Sequence, residues 1–123
     1  QETSCPSSVS QAALIAALDG PQECVAEMKA EFAARRDLVT SLLGKIPHLK
    51  FAPADGAFYA WADCSAFAPD SWDYAFELMR RAHLAITPGR DFGEAETKRY
   101  LRLSYATAMP QLEEAVARLQ RCL

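Results

Sequence analysis

Few side chains in this sequence are placed to do chemistry, and Arg102 is the foremost. It stands in the run Tyr100-Leu101-Arg102-Leu103-Ser104-Tyr105, whose strict alternation puts Leu101, Leu103 and Tyr105 on one face of a strand and Tyr100, Arg102 and Ser104 on the other. A guanidinium projecting from a rigid strand presents two parallel N–H donors in a fixed direction, which suits a carboxylate. Read alone, the position suits equally an arginine solvated on a half-exposed sheet. The four cysteines, Cys5, Cys24, Cys64 and Cys122, lie far apart with no C-x-x-C pair, and only His48 and His83 are available to join them. Structural zinc needs ligands paired closely enough for one turn to aim two at the metal, so no metal site is expected, and reduced, unpaired thiols are.

The elements that must position Arg102 follow from periodicity and punctuation. Ser8 and Gln11 form a capping-box pattern before an apolar run, which predicts a helix over residues 9–18 stopped by Asp19-Gly20-Pro21, with Gly20 as a left-handed cap. Pro21 opens a long helix to residue 43 with apolar positions Val25, Met28, Phe32, Val39, Leu42 and Leu43, and Gly44 ends it. Short strands are predicted over residues 49–53 and 57–62, separated by the turn Pro53-Ala54-Asp55-Gly56. A third helix follows an Asp70 or Ser71 cap, with Trp72, Ala75, Phe76 and Met79 as its apolar stripe, then a strand over 84–87 cut off at Pro88-Gly89. Residues 100–105 are the clearest strand. Pro110 begins a last helix whose Leu112, Val116, Leu119 and Leu123 face inward.

With 123 residues the chain is one domain or a piece of one, half apolar by residue count, and expected to fold around a true core. Its formal net charge of −3 leaves no electrostatic footprint for nucleic acid. No apolar run approaches the ~20 residues that cross a bilayer, so a soluble, cytoplasmic segment is expected. One feature resists a small-domain reading: the first helix is apolar almost all round, which belongs inside something larger or against a partner.

The order of motifs carries further information. T-S-C-P-S-S-V-S-Q-A-A near the start is followed by R-R-D-L at 35–38, P-A-D-G-A-F-Y at 53–59, T-P-G-R-D-F-G at 87–93, Y-L-R-L-S-Y-A-T at 100–107 and a closing L-E-E-A-V-A-R-L helix. This succession resembles the C-terminal third of class I aminotransferases of the fold-type I pyridoxal-phosphate family, nearest to bacterial aspartate aminotransferases, and the resemblance covers the whole chain. It implies an α/β fold in which a small antiparallel or mixed sheet carries helices mainly on one face, preceded by a long interdomain-type helix. Residues 1–20 would be a remnant of the large domain, and 21–123 the small domain with its linking helix at 21–44.

By the same resemblance Arg102 matches the arginine that clamps the substrate α-carboxylate, and Gly56 and Phe58, with Thr3 and Ser4, are possible cleft contacts. The lysine that binds the cofactor covalently would lie upstream. Lys29, Lys45, Lys50 and Lys98 are all outside its serine-rich setting. The implied activity is amino transfer between an amino acid, aspartate or glutamate foremost, and a 2-oxo acid, with pyridoxal phosphate serving the full-length enzyme and not binding stably to this chain alone, and with a homodimer as the assembly. The alternative is a stand-alone non-catalytic module that binds a carboxylate or dimerises through its first helix.

Overall fold

The computed structural model describes residues 5–123. The chain divides into two compact units, one through Ala30 and one from Glu31 to Leu123. In the first, α1 (Ser8–Asp19) buries none of its residues, and Val9, Leu14, Ile15 and Leu18 are all exposed. Its ends differ from expectation. Ser8 is already helical, Ser7 makes no side-chain cap, and Gln11 Nε2 donates instead to the Pro6 carbonyl at 3.2 Å, so the capping box does not form. Gly20 is extended rather than left-handed; a Cβ there would lie 2.5 Å from the Ala16 carbonyl oxygen, so the position uses the lack of a side chain and not a positive φ. α2 (Glu23–Leu43) begins just after Pro21 and contributes Val39 and Leu43 to the core of the second unit. Phe32 and Leu42 are half-buried, whereas Val25 and Met28 are exposed.

The second unit is an α/β layer built on a four-stranded antiparallel sheet. Its strands are β1 (Lys50–Phe51), β2 (Tyr59–Asp63), β3 (Thr87–Pro88) and β4 (Tyr100–Ser104), in the order β1-β2-β4-β3. The centre is the β2–β4 ladder, in register from Tyr59 opposite Ser104 to Asp63 opposite Tyr100. Period two then sorts the side chains: Ala60, Ala62 and Leu101 are buried on one face, and Leu103 packs beside them. The core they enter is completed by Tyr74, Ala75 and Leu78 of α3 (Ser71–Ala82) and by Leu112, Val116 and Leu119 of α4 (Met109–Cys122). The helices therefore cover one face, as expected.

Three strands are shorter than their apolar runs. Ala57 has φ +63°, a left-handed conformation that cannot continue a ladder, so β2 starts only at Tyr59. In the runs 49–53 and 84–87, only Lys50, Phe51 and Thr87 are in strands, the last together with Pro88. α3 corrects a second expectation. Asp70 is its cap, accepting from the Trp72 N–H at 2.8 Å, and the buried stripe is Ser71, Tyr74, Ala75, Leu78 and Ala82. Trp72, Phe76 and Met79 are exposed. The inward face of α3 was hidden because small residues supply much of it. Leu123, expected inside, lies beyond the last turn of α4 and is exposed. Among the described residues no helix is long and apolar enough to cross a membrane.

Cys64 is fully buried where β2 ends; its N–H donates to the Arg99 carbonyl at 2.7 Å and its thiol to the same oxygen at 3.2 Å. Burial pushes its thiol up to about 11 from an ordinary 9.0. The protonated form is thus favoured in the fold, and stability should be lost as pH rises through about 9, where the unfolded chain releases this proton first. At about pH 8 iodoacetamide should label exposed Cys5 and Cys24 and spare Cys64 until urea unfolds the chain, as peptide mass spectrometry would read.

Candidate functional site

The sheet face turned away from the helices carries Tyr59, Trp61 and Asp63 from β2 and Tyr100, Arg102 and Ser104 from β4, because these positions alternate with the buried ones. Arg102 lies at the middle, opposite Trp61 on one side and Thr87 on the other. Its Cζ is 4.6 Å from the centre of the Phe92 ring and 5.4 Å from that of Tyr59. Phe92 meets Trp61 edge to face at 5.7 Å, and Trp61 stacks on Tyr100 at 5.4 Å. A cation over a ring contributes ~0.5–1 kcal/mol when exposed and ~2 when desolvated, so two rings are enough to seat a guanidinium.

The two arginines of this strand and its approach have opposite electrostatic settings. Arg99 Nε is 3.4 Å from Asp63 Oδ2 and its Nη1 3.5 Å from Glu96 Oε2. Burial raises the Asp63 carboxyl, but bonds from Ser65 and the charges of Arg99 and Lys50 outweigh it and hold the group below its ordinary value. Arg102 has no ion pair and no hydrogen bond among the described residues, and its Nε is closed off from solvent without a partner. A buried unpaired donor costs ~1–3 kcal/mol. No hydrogen bond or ion pair among the described residues engages Nη1 or Nη2, and a planar fork of this kind suits an anion.

Beside this face stands a turn held by the end of β4. The N–H of Tyr105 donates to the Phe58 carbonyl at 2.8 Å and its hydroxyl to the Ala57 carbonyl at 3.1 Å, so one residue fixes the left-handed Ala57 from two directions. Phe58, exposed, meets the Tyr59 ring edge to face at 5.7 Å. Gly56 lies just before, with nothing within 4 Å of where a Cβ would stand. Of the residues singled out from sequence, Arg102 and Phe58 are thus joined through Tyr59, and Gly56 borders them in open space. Thr3 and Ser4 lie outside the described residues.

Trp61 and the aromatic contact of Phe92 were not foreseen, although the alternation of 59–63 is as regular as that of 100–105. Phe92 reaches Arg102 because the turn Gly89–Phe92 runs close to the segment before β4: a Cβ on buried Gly89 would stand 2.3 Å from the Thr97 carbonyl oxygen and 2.8 Å from that of Tyr100. Among the described residues no three His, Cys, Asp or Glu side chains gather to hold a metal.

Fold and site together define an α/β layer: an antiparallel sheet with helices behind it and, in front, an arginine that has no ion pair among the described residues and lies among rings. Residues 1–119 match the family model for aminotransferase class I and II. An aspartate aminotransferase of Rhizobium meliloti is 40% identical over 97% of this chain, and a probable aspartate/prephenate aminotransferase of Rickettsia felis 36% over 98%. The crystal structure of the Rhizobium meliloti aspartate aminotransferase superposes with a TM-score of 0.84 at 37% identity, covering 97% of this chain and 32% of that one. An alanine aminotransferase from Pyrococcus furiosus gives 0.89 at 27% identity over 96% of this chain and 30% of its own. The chain belongs to the class I and II aminotransferase family. It spans 31% of the length of the two curated relatives named.

Gly89→Ala should lower stability by ~1–3 kcal/mol in urea unfolding, because the added methyl meets two backbone oxygens that cannot rotate away. The same change should alter the near-ultraviolet circular dichroism of the Trp61 and Phe92 pair as Phe92 is displaced.

Proposed function

We propose that this chain is the substrate-clamping part of a pyridoxal-phosphate-dependent aminotransferase, acting between a dicarboxylic amino acid and a 2-oxo acid in the cytoplasm. The observation that carries the reading is Arg102: a strand-borne guanidinium, seated by Phe92 and Tyr59, with no counter-ion among the described residues. The α-carboxylate is common to every amino acid and its 2-oxo acid, so a fixed fork that grips it serves both halves of an amino transfer. Gripped at two oxygens, the substrate loses rotation about its carboxylate, and Cα is held in one orientation for reaction. The names of the relatives favour aspartate as donor.

The residues of this chain do not themselves fit pyridoxal phosphate. All four lysines are exposed, and Lys50, which shares the sheet face of Arg102, lies opposite Asp63 and two strands from the arginine. The cofactor, when held by the remainder of such an enzyme, supplies the electron withdrawal at Cα; this chain supplies orientation. Alone it should show no turnover of aspartate with 2-oxoglutarate and no stable new visible absorbance band with added pyridoxal phosphate. Lysine-dependent turnover would overturn that division of labour.

In the intact enzyme, Arg102→Leu should lower kcat/KM for both substrates by roughly 10²–10⁴-fold, since two charge-assisted bonds are lost together. Arg102→Lys should restore only part, because an ammonium has no planar fork. An unchanged kcat/KM in Arg102→Leu would overturn the reading.

The exposed apolar side of α1 favours self-association as a property of this chain by itself. Burying a Leu or Ile side chain contributes ~1.5–3 kcal/mol, and a two-fold axis lets one patch cover itself. Sedimentation at micromolar concentration should show a concentration-dependent dimer, and Leu14→Glu should return the monomer without unfolding the second unit. A monomer insensitive to concentration with α1 helical would refute it.

A further inference from the structure

Resting on the reading of Arg102 as a carboxylate clamp, we infer that Phe92 is a positioning residue for that clamp, acting through the charge-seeking face of its ring rather than through packing. Three observations lead here. Phe92 makes the shorter of the two ring contacts to Arg102, 4.6 Å against 5.4 Å for Tyr59. It reaches that place from a different element, the turn after β3, while Tyr59 comes from β2, so the guanidinium is approached by rings whose backbones lie on either side of β4. And Phe92 is half exposed, at 50%, so it is not held inward by core burial.

The consequence for Arg102 is geometric. Its Nε has no hydrogen-bond partner to set the plane of the group, and no carboxylate among the described residues pairs with Nη1 or Nη2. In many arginine sites an acidic neighbour fixes the plane; here such a neighbour would compete with the substrate for the same donors. A ring fixes it without occupying them, because the attraction runs to the π face and leaves the N–H bonds in the guanidinium plane available. Phe92 is itself steadied by the edge of Trp61 at 5.7 Å, which in turn stacks on Tyr100. The row of rings thus sets the tilt of the fork before a substrate arrives, which favours every α-carboxylate alike and is blind to the side chain.

The test is carried out in the intact enzyme containing this segment, with the amino acid and the 2-oxo acid assayed separately. Phe92→Leu should raise both KM values by roughly tenfold with kcat within about threefold, and Phe92→Tyr should stay close to the parent. Replacing Phe92 by 3,4,5-trifluorophenylalanine keeps size and fold while weakening the ring's negative face, so it distinguishes charge-seating from packing even where Phe92→Leu fails to fold. Both KM values should rise severalfold with an unchanged melting temperature. Parent KM values in the fluorinated protein would overturn the positioning role and leave the clamp standing, provided Arg102→Leu is inactive in the same assay. Parent kcat/KM in Arg102→Leu would remove the clamp and this inference with it. A rise in only one of the two KM values would also overturn it, since the α-carboxylate is common to both.

Discussion

The second unit depends on one constraint, the period-two alternation of a five-residue antiparallel ladder. Because β2 and β4 are in register along their whole length, every choice of face in one strand is matched in the other. Ala60, Ala62 and Leu101 go in together, and Trp61, Asp63, Tyr100 and Arg102 come out together. A slip of one residue would turn Arg102 toward the core and expose the leucines. The apolar side therefore fixes the face on which the charge stands, and the rings of Phe92 and Tyr59 then seat the guanidinium on that face.

Helices on one face leave the other bare, and the bare face is where the fold has room for a ligand. On the inner face of β2 stand the small, buried Ala60 and Ala62, while Tyr59, Trp61 and Tyr100 stand on the opposite side of the ladder. That distribution suits a domain whose front meets something else. The match to relatives more than three times as long as this chain agrees with that division.

Much of this was legible beforehand, and the misses are informative. The face of Arg102 could be read because alternation is a local property of six consecutive residues. The succession of short motifs identified the family, since order along the chain survives where any single motif is ambiguous. Of the stripe expected for α3 only Ala75 is buried, because Ser71 and Ala82 weigh little on a hydropathy scale, while Trp72 and Phe76 weigh much and lie outside. The left-handed Ala57 could not be foreseen, for its conformation is imposed by Tyr105, which lies 48 residues away. Nor could the seat formed by Phe92, which depends on the turn after Gly89 passing close to two carbonyls.

The outermost strands, β1 and β3, pair over only two residues each, and the second residue of β3 is Pro88. A sheet whose front is bare and aromatic is exposed to the hazard of growing sideways, by strand addition from another molecule into fibrils. Such growth needs a run of free N–H and C=O groups along an edge. Two-residue margins offer too short a template, and on the β3 side proline withholds a donor altogether. Brevity at the borders thus guards against fibril growth: it lets the protein keep one aromatic sheet face bare without inviting copies of itself to zip onto the rim.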